Sequence, residues 1–131
     1  MSLDQIPPKT TGLTRIYKAF FYSVAGFKAA YRSENAFRQE LLFLLFSTGA
    51  AWLLALPLNW SLWLTFGAVF ILMMELANTA VERIIDLVSP EFHQLAKEAK
   101  DIGSAMVLLS LLFYGLLWCL ALWMKFQILL P

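Results

Sequence analysis

The sequence predicts an all-helical integral membrane protein, in which an amphipathic surface helix precedes three transmembrane helices. Two properties of the 131-residue chain indicate this class: 60% of its residues are apolar and only 15% are charged, and the charges cluster between long apolar stretches. A soluble domain carries about 45–50% apolar and about 25% charged residues. The net charge of +1 gives no electrostatic reason to expect a nucleic-acid partner. The single cysteine excludes a scaffold held by disulfides.

The first predicted element is a basic amphipathic helix over residues 14–39. Six of the ten basic residues lie within the first 38 positions. The apolar residues of this segment recur at spacings of four and three, which places them on one helix face: Ile16, Phe20, Val24, Phe27 and Tyr31. Such a helix is suited to lie on the anionic cytoplasmic surface of a membrane. The alternative is a helix packed on the core of a soluble domain, but this chain offers little soluble core to pack on. At 33–35, Ser-Glu-Asn, the chain either breaks or continues as helix.

Three long apolar stretches follow and predict transmembrane helices over residues 41–56, 60–81 and 104–124. A helix crosses the hydrocarbon core with about 20 residues, so the first span is short. The residues 57–59, Pro-Leu-Asn, predict a tight hairpin between the first two spans. Basic residues concentrate in the N-terminal segment and in the connection over 82–103, which places the N-terminus in the cytoplasm and the C-terminus in the periplasm. We expect one membrane-embedded domain over the whole chain, 1–131.

The most informative residues lie near the end of the second span. Glu75, Asn78 and Glu82 are spaced i, i+3 and i+7, so a helix presents all three on one face, and Asp86 extends this face. Glu75 lies about two turns inside the span. An ionised acidic side chain at that depth costs free energy unless it is protonated, paired with a cation or placed in a water-filled cavity. An acid at that depth is a candidate functional residue. The alternative is a protonated Glu75 that hydrogen-bonds a neighbouring helix.

Oxygen ligands and a downstream lysine together indicate phosphate chemistry. Carboxylates two turns apart, with an amide between them, suit Mg²⁺, which binds one or two carboxylates and completes its shell with phosphates and water. Lys100, which is followed by Asp101 and the small residues 103–105, supplies the positive charge that a phosphate needs. The alternative here is a solvated helix end with a Lys97–Asp101 pair. His93 is predicted to be a capping or surface residue. The sequence contains no Walker-type loop, GxGxxG or kinase catalytic loop.

Three sequence motifs occur together over roughly residues 10–125. The first is the string E-x-x-N-x-x-x-E-x-x-x-D over 75–86, and the second is A-K-D over 99–101 followed by G-S-A over 103–105. The third runs from Thr10-Thr11-Gly12 through Arg15 and Tyr22-Ser23 to E-N-A-F-R-Q-E over 34–40. In combination they resemble the prokaryotic diacylglycerol kinase family, and the N-terminal run resembles its Gram-negative branch.

The resemblance implies a homotrimeric enzyme of the bacterial inner membrane with active sites shared between subunits. It implies transfer of the γ-phosphoryl group of MgATP to the hydroxyl of diacylglycerol, which gives phosphatidic acid. Glu75 is then the general base, while Glu34 and Glu82 hold the metal that bridges the ATP phosphates. The other site residues that the resemblance implies are Asn78, Lys100, Asp101, Arg15 and Tyr22 at the nucleotide, and Ser23, Gln39, Glu40 and Ser104 in the site lining.

Alternatives to a diacylglycerol kinase remain at this point. The chain has Ala25 where the Gram-negative members usually carry lysine, and Ala-Lys-Glu over 96–98 where they carry Ser-Gly-Arg. The stretch 86–97 is similar to the Gram-positive branch, whose members phosphorylate undecaprenol. A small proton-coupled transporter also needs one intramembrane glutamate. A non-catalytic membrane subunit, in which the polar face only joins helices, is the remaining alternative.

Overall fold

The computed structural model describes residues 11–129, which contain four α-helices and no strand. The helices are α1 (Gly12–Ser33), α2 (Asn35–Leu53), α3 (Leu58–Val88) and α4 (Gln94–Leu129). The predicted all-helical class is confirmed. Thr10, the first residue of the N-terminal motif, lies outside the described residues.

The α1 helix belongs to one compact unit of the chain, and the residues from Glu34 onward form a second. The apolar residues predicted to form one face of α1 are all exposed: Ile16, Phe20, Val24, Phe27 and Tyr31. The predicted helix over 14–39 does not continue beyond Ser33, because Glu34 has an extended backbone with φ −101° and ψ 115°. Of the two alternatives at 33–35 the break is therefore correct, and residues 35–39 belong to α2.

The turn between α2 and α3 lies at 54–57, slightly before the predicted position. The α2 helix ends at Leu53, three residues before the end of the predicted span 41–56, and Ala55 adopts a left-handed backbone with φ 49°. This conformation is uncommon for residues other than glycine, and it reverses the chain within a few residues. Lys125 of α4 donates a hydrogen bond to the carbonyl of Leu54, so a basic side chain satisfies a carbonyl at the end of α2.

Within the second unit, α3 packs against both α2 and α4. Its buried apolar positions form one core with residues of the other two helices and of the α2–α3 turn: Leu44, Ala51, Leu56, Leu64, Ala68, Ile71, Tyr114, Leu117 and Ala121. Gly67 brings α3 close to α4, because a Cβ atom there would lie only 2.9 Å from Cδ2 of Tyr114. The Tyr114 hydroxyl lies 3.0 Å from Oγ of Ser47, which also accepts a 2.8 Å hydrogen bond from the Trp118 indole. These polar groups are thus partnered where α2 meets α4.

Two helices among the described residues are long and apolar enough to cross a membrane, namely α3 and α4. They contain the predicted spans 60–81 and 104–124. The α2 helix, which carries the predicted first span, does not reach the same length and hydropathy within the part of the chain described here. Its first turns are polar, with Arg38, Gln39 and Glu40, so its apolar part is shorter than the helix itself.

Candidate functional site

Glu75 and Asn78 lie on the buried face of α3. Glu75 is 5% exposed and Asn78 is 9% exposed, and Thr79 beside them is also buried. The first two are three residues apart in one helix, so their side chains lie on the same face, one turn apart. A buried carboxylate needs a proton, a partner or a ligand. The structure therefore places the predicted intramembrane acid inside the helix packing and not on a lipid-facing surface.

Asn78 has one satisfied and one unsatisfied polar atom. Its Nδ2 donates a 3.3 Å hydrogen bond to Oε1 of Glu82, the next carboxylate along this face. We call the acidic residues of this face, Glu75, Glu82 and Asp86, the carboxylate stripe of α3. Its Oδ1 is buried and has no hydrogen-bond partner among the described residues. Buried polar atoms in native proteins are nearly always paired, so an orphaned amide oxygen marks a position where a ligand or water can bind. Oδ1 lies against Gly103 of α4, at the small-residue segment that the sequence singled out.

Glu40 brings a further carboxyl group into this region from the first turns of α2, just before the predicted span 41–56. Its Oε2 atom is buried without a hydrogen-bond partner among the described residues. Burial, together with the charge of Glu75, raises the pKa of Glu40 from its ordinary value of 4.5 to about 7. Because the charge of Glu75 contributes to this shift, the two carboxyl groups interact electrostatically across α2 and α3.

Glu34 and Arg83 form an ion pair that sequence spacing did not reveal. The Arg83 guanidinium lies 3.7 Å from Oε1 of Glu34, and the two side chains are 48% and 30% exposed. Glu34 is the extended residue before α2, so its carboxylate reaches the same end of α3 that carries Glu82. The pair thus brings the two carboxylates predicted to hold metal toward one end of the helix.

Lys100 of α4 reaches across to the end of α3. Its Nζ lies 2.5 Å from Oδ1 of Asp86, in an ion pair between residues 14 positions apart in the chain. The Lys97–Asp101 pair considered from the sequence is present as well, at 2.6 Å within α4. Ser104 donates its hydroxyl to the carbonyl of Lys100 at 3.2 Å. Lys100, which was predicted to bind phosphate, is therefore held beside the stripe of carboxylates on α3.

A cavity of about 270 Å³ lies where α3 ends and α4 begins. Its polar lining includes Asp86, Ser89, Glu91, His93, Lys97 and Lys100. His93 accepts a 3.2 Å hydrogen bond from the backbone N–H of Leu95 through Nδ1, so it caps the start of α4 as predicted. The cavity presents both positive and negative side chains to solvent.

The other predicted site residues are distributed over three helices. Gln39 is exposed in the first turns of α2, and Asp101 and Ser104 are exposed on α4. Arg15, Tyr22 and Ser23 lie exposed on α1 in the other unit of the chain, where Ser23 donates its hydroxyl to the carbonyl of Ala19 at 3.0 Å. The part that these α1 residues play in the site stays a prediction.

The residues present fit a magnesium ion that arrives with a nucleotide. Among the described residues no three His, Cys, Asp or Glu side chains come together as a metal cluster. Mg²⁺ does not require such a cluster, because it is usually bound by one or two carboxylates plus substrate phosphates. Glu34 and Glu82 are carboxylates of this type, and the orphaned Oδ1 of Asn78 is a further oxygen on the face of α3 that carries Glu82. Such a donor set suits a metal ion that completes its shell with phosphates and water.

Comparison with known proteins gives one consistent result. Residues 21–122 match the family described as prokaryotic diacylglycerol kinase. The chain is 42% identical over 129 residues to a diacylglycerol kinase of Helicobacter pylori, which covers 95% of this chain and 100% of the relative. It is 38% identical over 117 residues to the diacylglycerol kinase of Escherichia coli K12, covering 89% of this chain and 96% of the relative. A diacylglycerol kinase of Pseudomonas aeruginosa is 41% identical over 108 residues, 82% of this chain and 88% of the relative.

Proposed function

Because the chain belongs to the prokaryotic diacylglycerol kinase family, we propose that it transfers the γ-phosphoryl group of ATP to the hydroxyl of diacylglycerol, giving phosphatidic acid. One observation carries the proposal at the level of the site. A buried carboxylate, Glu75, shares a face of α3 with the orphaned oxygen of Asn78, while Lys100 reaches the end of the same helix from α4. This arrangement provides a proton acceptor inside the packed helices and a cation near their end.

Phosphoryl transfer asks a protein mainly for positioning and for neutralisation of charge. In the proposed reaction the lipid hydroxyl oxygen attacks the γ-phosphorus, the bond to the β-phosphate oxygen breaks, and ADP leaves. Glu75 accepts the hydroxyl proton, a role that suits a carboxylate buried where a membrane lipid can present its headgroup. Lys100 stabilises the negative charge of the γ-phosphoryl group.

Glu34 and Glu82 are proposed to hold Mg²⁺, which when bound neutralises charge on the ATP phosphates. Asn78 orients the Glu82 carboxylate through their 3.3 Å hydrogen bond, and its Oδ1 remains available to ligand or water. Nucleotide-binding and lining roles are proposed for the remaining residues: Arg15, Tyr22, Ser23, Gln39, Glu40, Asp101 and Ser104.

For the assembly we propose a homotrimer in the bacterial inner membrane, with α2 as a short third span and with sites shared between subunits. The exposed apolar side chains of α2 support this proposal, since they require lipid or another subunit to cover them: Leu42, Phe43, Leu45 and Phe46. A helix with an apolar stretch shorter than the bilayer thickness can be accommodated by oligomerisation, which covers its sides with neighbouring subunits. We also propose a cytoplasmic N-terminus and a periplasmic C-terminus, which the distribution of basic residues supports.

Lipid phosphorylation by the purified protein tests the proposed function. In mixed micelles with Mg²⁺ and γ-labelled ATP, diacylglycerol and undecaprenol are offered in parallel, and label in each lipid is measured. We expect transfer to diacylglycerol that falls at least about 100-fold in Glu75→Gln. Glu98→Gln is the matched control, because it also removes one carboxylate but at an exposed position on α4.

Each alternative has its own outcome in this assay. Preferential labelling of undecaprenol would replace the acceptor and keep the reaction class. A folded protein that labels neither lipid would refute the kinase and favour proton-coupled transport. Full activity in Glu75→Gln would remove this residue as the general base.

A further inference from the structure

The Lys100–Asp86 ion pair joins a charged side chain of α4 to a charged side chain of α3. Nζ and Oδ1 are 2.5 Å apart, and the side chains of Lys100 and Asp86 are 39% and 67% exposed. Both side chains line the cavity of about 270 Å³ at the start of α4. The pair is therefore formed at the surface, in contact with a space that a ligand can enter.

The ion pair is expected to contribute little to the free energy of unfolding of the protein. Exposed ion pairs contribute little to folding, because water screens them and two long side chains must be ordered. The packing of α3 against α4 already rests on a buried core that includes Gly67 and Tyr114. A different consequence of the ion pair is geometric, since it selects one direction for a lysine side chain with four rotatable bonds.

The direction selected is toward the carboxylate stripe. Asp86 follows Glu82 by four residues on α3, so the ammonium group of Lys100 is held about one helical turn, or about 6 Å of axial rise, from the level of Glu82. An ammonium group has three N–H donors, of which Asp86 engages one. The donors that remain are available to a phosphate oxygen beside the stripe.

We propose that Asp86 is a positioning residue, which aims Lys100 at the phosphoryl group that is transferred. The inference rests on the proposed function and assigns a role to Asp86, a residue to which the proposed function gives none. Asp86 touches no substrate in this role, since it acts only by holding the ammonium group. Phosphoryl transfer is sensitive to such placement, because a displacement of about 1 Å in a reacting array can cost about 100-fold in rate.

Steady-state kinetics of the full-length protein in mixed micelles test the inference, with MgATP varied at saturating diacylglycerol. Asp86→Asn keeps the shape of the side chain and removes its charge, Asp86→Glu keeps the charge, and Glu98→Gln is the control for loss of an exposed carboxylate. We expect kcat to fall about 10-fold or more in Asp86→Asn, with KM for MgATP changed less than about threefold. Asp86→Glu recovers a substantial part of kcat, and the thermal unfolding midpoint in micelles is the same in Asp86→Asn and Glu98→Gln.

A double-mutant cycle separates positioning from a structural role. In a Lys100→Gln background, Asp86→Asn is expected to lower kcat no further, because the group that it positions is absent. An equal loss in both backgrounds would overturn the inference, as would an unchanged kcat or a change of more than about threefold in KM for MgATP in Asp86→Asn. Failure of the unsubstituted protein to phosphorylate lipid would instead overturn the proposed function, and this inference with it.

Discussion

Gly103 of α4 lies so close to Asn78 of α3 that a Cβ atom at position 103 would overlap Oδ1 of Asn78. The contact joins the two helices at the residue whose amide oxygen has no hydrogen-bond partner in the described part of the chain. The absence of a side chain at Gly103 thus leaves room for the Asn78 side chain.

Substitution of Gly103 by alanine is therefore expected to displace Asn78 and to separate α3 from α4 locally. Overpacking of this kind costs about 1–3 kcal/mol in the free energy of unfolding. Lipid phosphorylation should fall as well, because Asn78 orients Glu82. Unfolding in micelles and label transfer from ATP measure the two effects.

Gly115 provides the matched control for this substitution. It lies in the same helix, and a Cβ atom there meets no heavy atom within 4 Å. Since alanine is the better helix former, Gly115→Ala should leave stability unchanged or increase it. Equal behaviour of Gly103→Ala and Gly115→Ala would show that the close approach at Asn78 does not matter.

Helix periodicity alone was enough to predict the face that carries Glu75, Asn78 and Glu82, because residues of one helix keep a constant angular relation. The prediction of His93 as a capping or surface residue rested instead on the loop indicated by Pro90 and Glu91. The pairs Glu34–Arg83 and Asp86–Lys100 were not predicted. They depend on how far one helix is shifted along another, and spacing within a single helix does not contain this information.

The same limit applies to helix ends. The sequence indicated Ser33–Asn35 as a place where the chain either breaks or continues, and the backbone conformation of Glu34 decided between the two. The end of α2 lies next to Ala55, whose left-handed backbone is uncommon for a residue other than glycine and follows from the tight return of the chain.

The raised pKa of Glu40 predicts a pH dependence of stability. Burial and the charge of Glu75 raise the pKa of Glu40 from 4.5 to about 7 in the folded protein. Between these values the folded state binds more protons than the unfolded state, so stability should fall as pH rises through this window. Glu40→Gln, which cannot ionise, should show a smaller decrease in the thermal unfolding midpoint between pH 5 and pH 8.

Glu98→Gln serves as the comparison for this measurement, since Glu98 is an exposed residue that accepts a 2.9 Å hydrogen bond from Gln94. It should retain the decrease found in the unsubstituted protein. If Glu40→Gln retains the full decrease too, the pH dependence arises from another group.

The Arg83–Glu34 pair predicts an effect on magnesium. A guanidinium 3.7 Å from a carboxylate makes the surroundings of Glu34 less favourable for a second cation. Arg83→Gln is therefore expected to lower the Mg²⁺ concentration needed for half-maximal lipid phosphorylation by a few-fold. Stability should change by less than about 1 kcal/mol, because the pair is partly exposed.

The comparison variant for this effect is Lys97→Gln, which removes one positive charge where the partner is Asp101 and not Glu34. It should leave the Mg²⁺ concentration for half-maximal lipid phosphorylation unchanged. A higher Mg²⁺ requirement in Arg83→Gln would mean that the guanidinium holds Glu34 in place for the metal and does not oppose it.

The hydrogen-bonded cluster of Ser47, Tyr114 and Trp118 predicts a loss of stability without a loss of catalytic power. Tyr114 is 2% exposed, and its hydroxyl is bonded to Ser47 of α2, while its ring fills the space left by Gly67 of α3. Tyr114→Phe keeps the ring and removes one hydrogen bond, so unfolding should become easier by about 0.5–1.5 kcal/mol. The indole of Trp118 still donates to Ser47, which limits the loss.

Because Tyr114 lies about ten residues, or about 15 Å along α4, beyond Ser104, KM for MgATP should stay unchanged in Tyr114→Phe. A change in that KM would mean that the packing of α2 against α4 is coupled to the nucleotide.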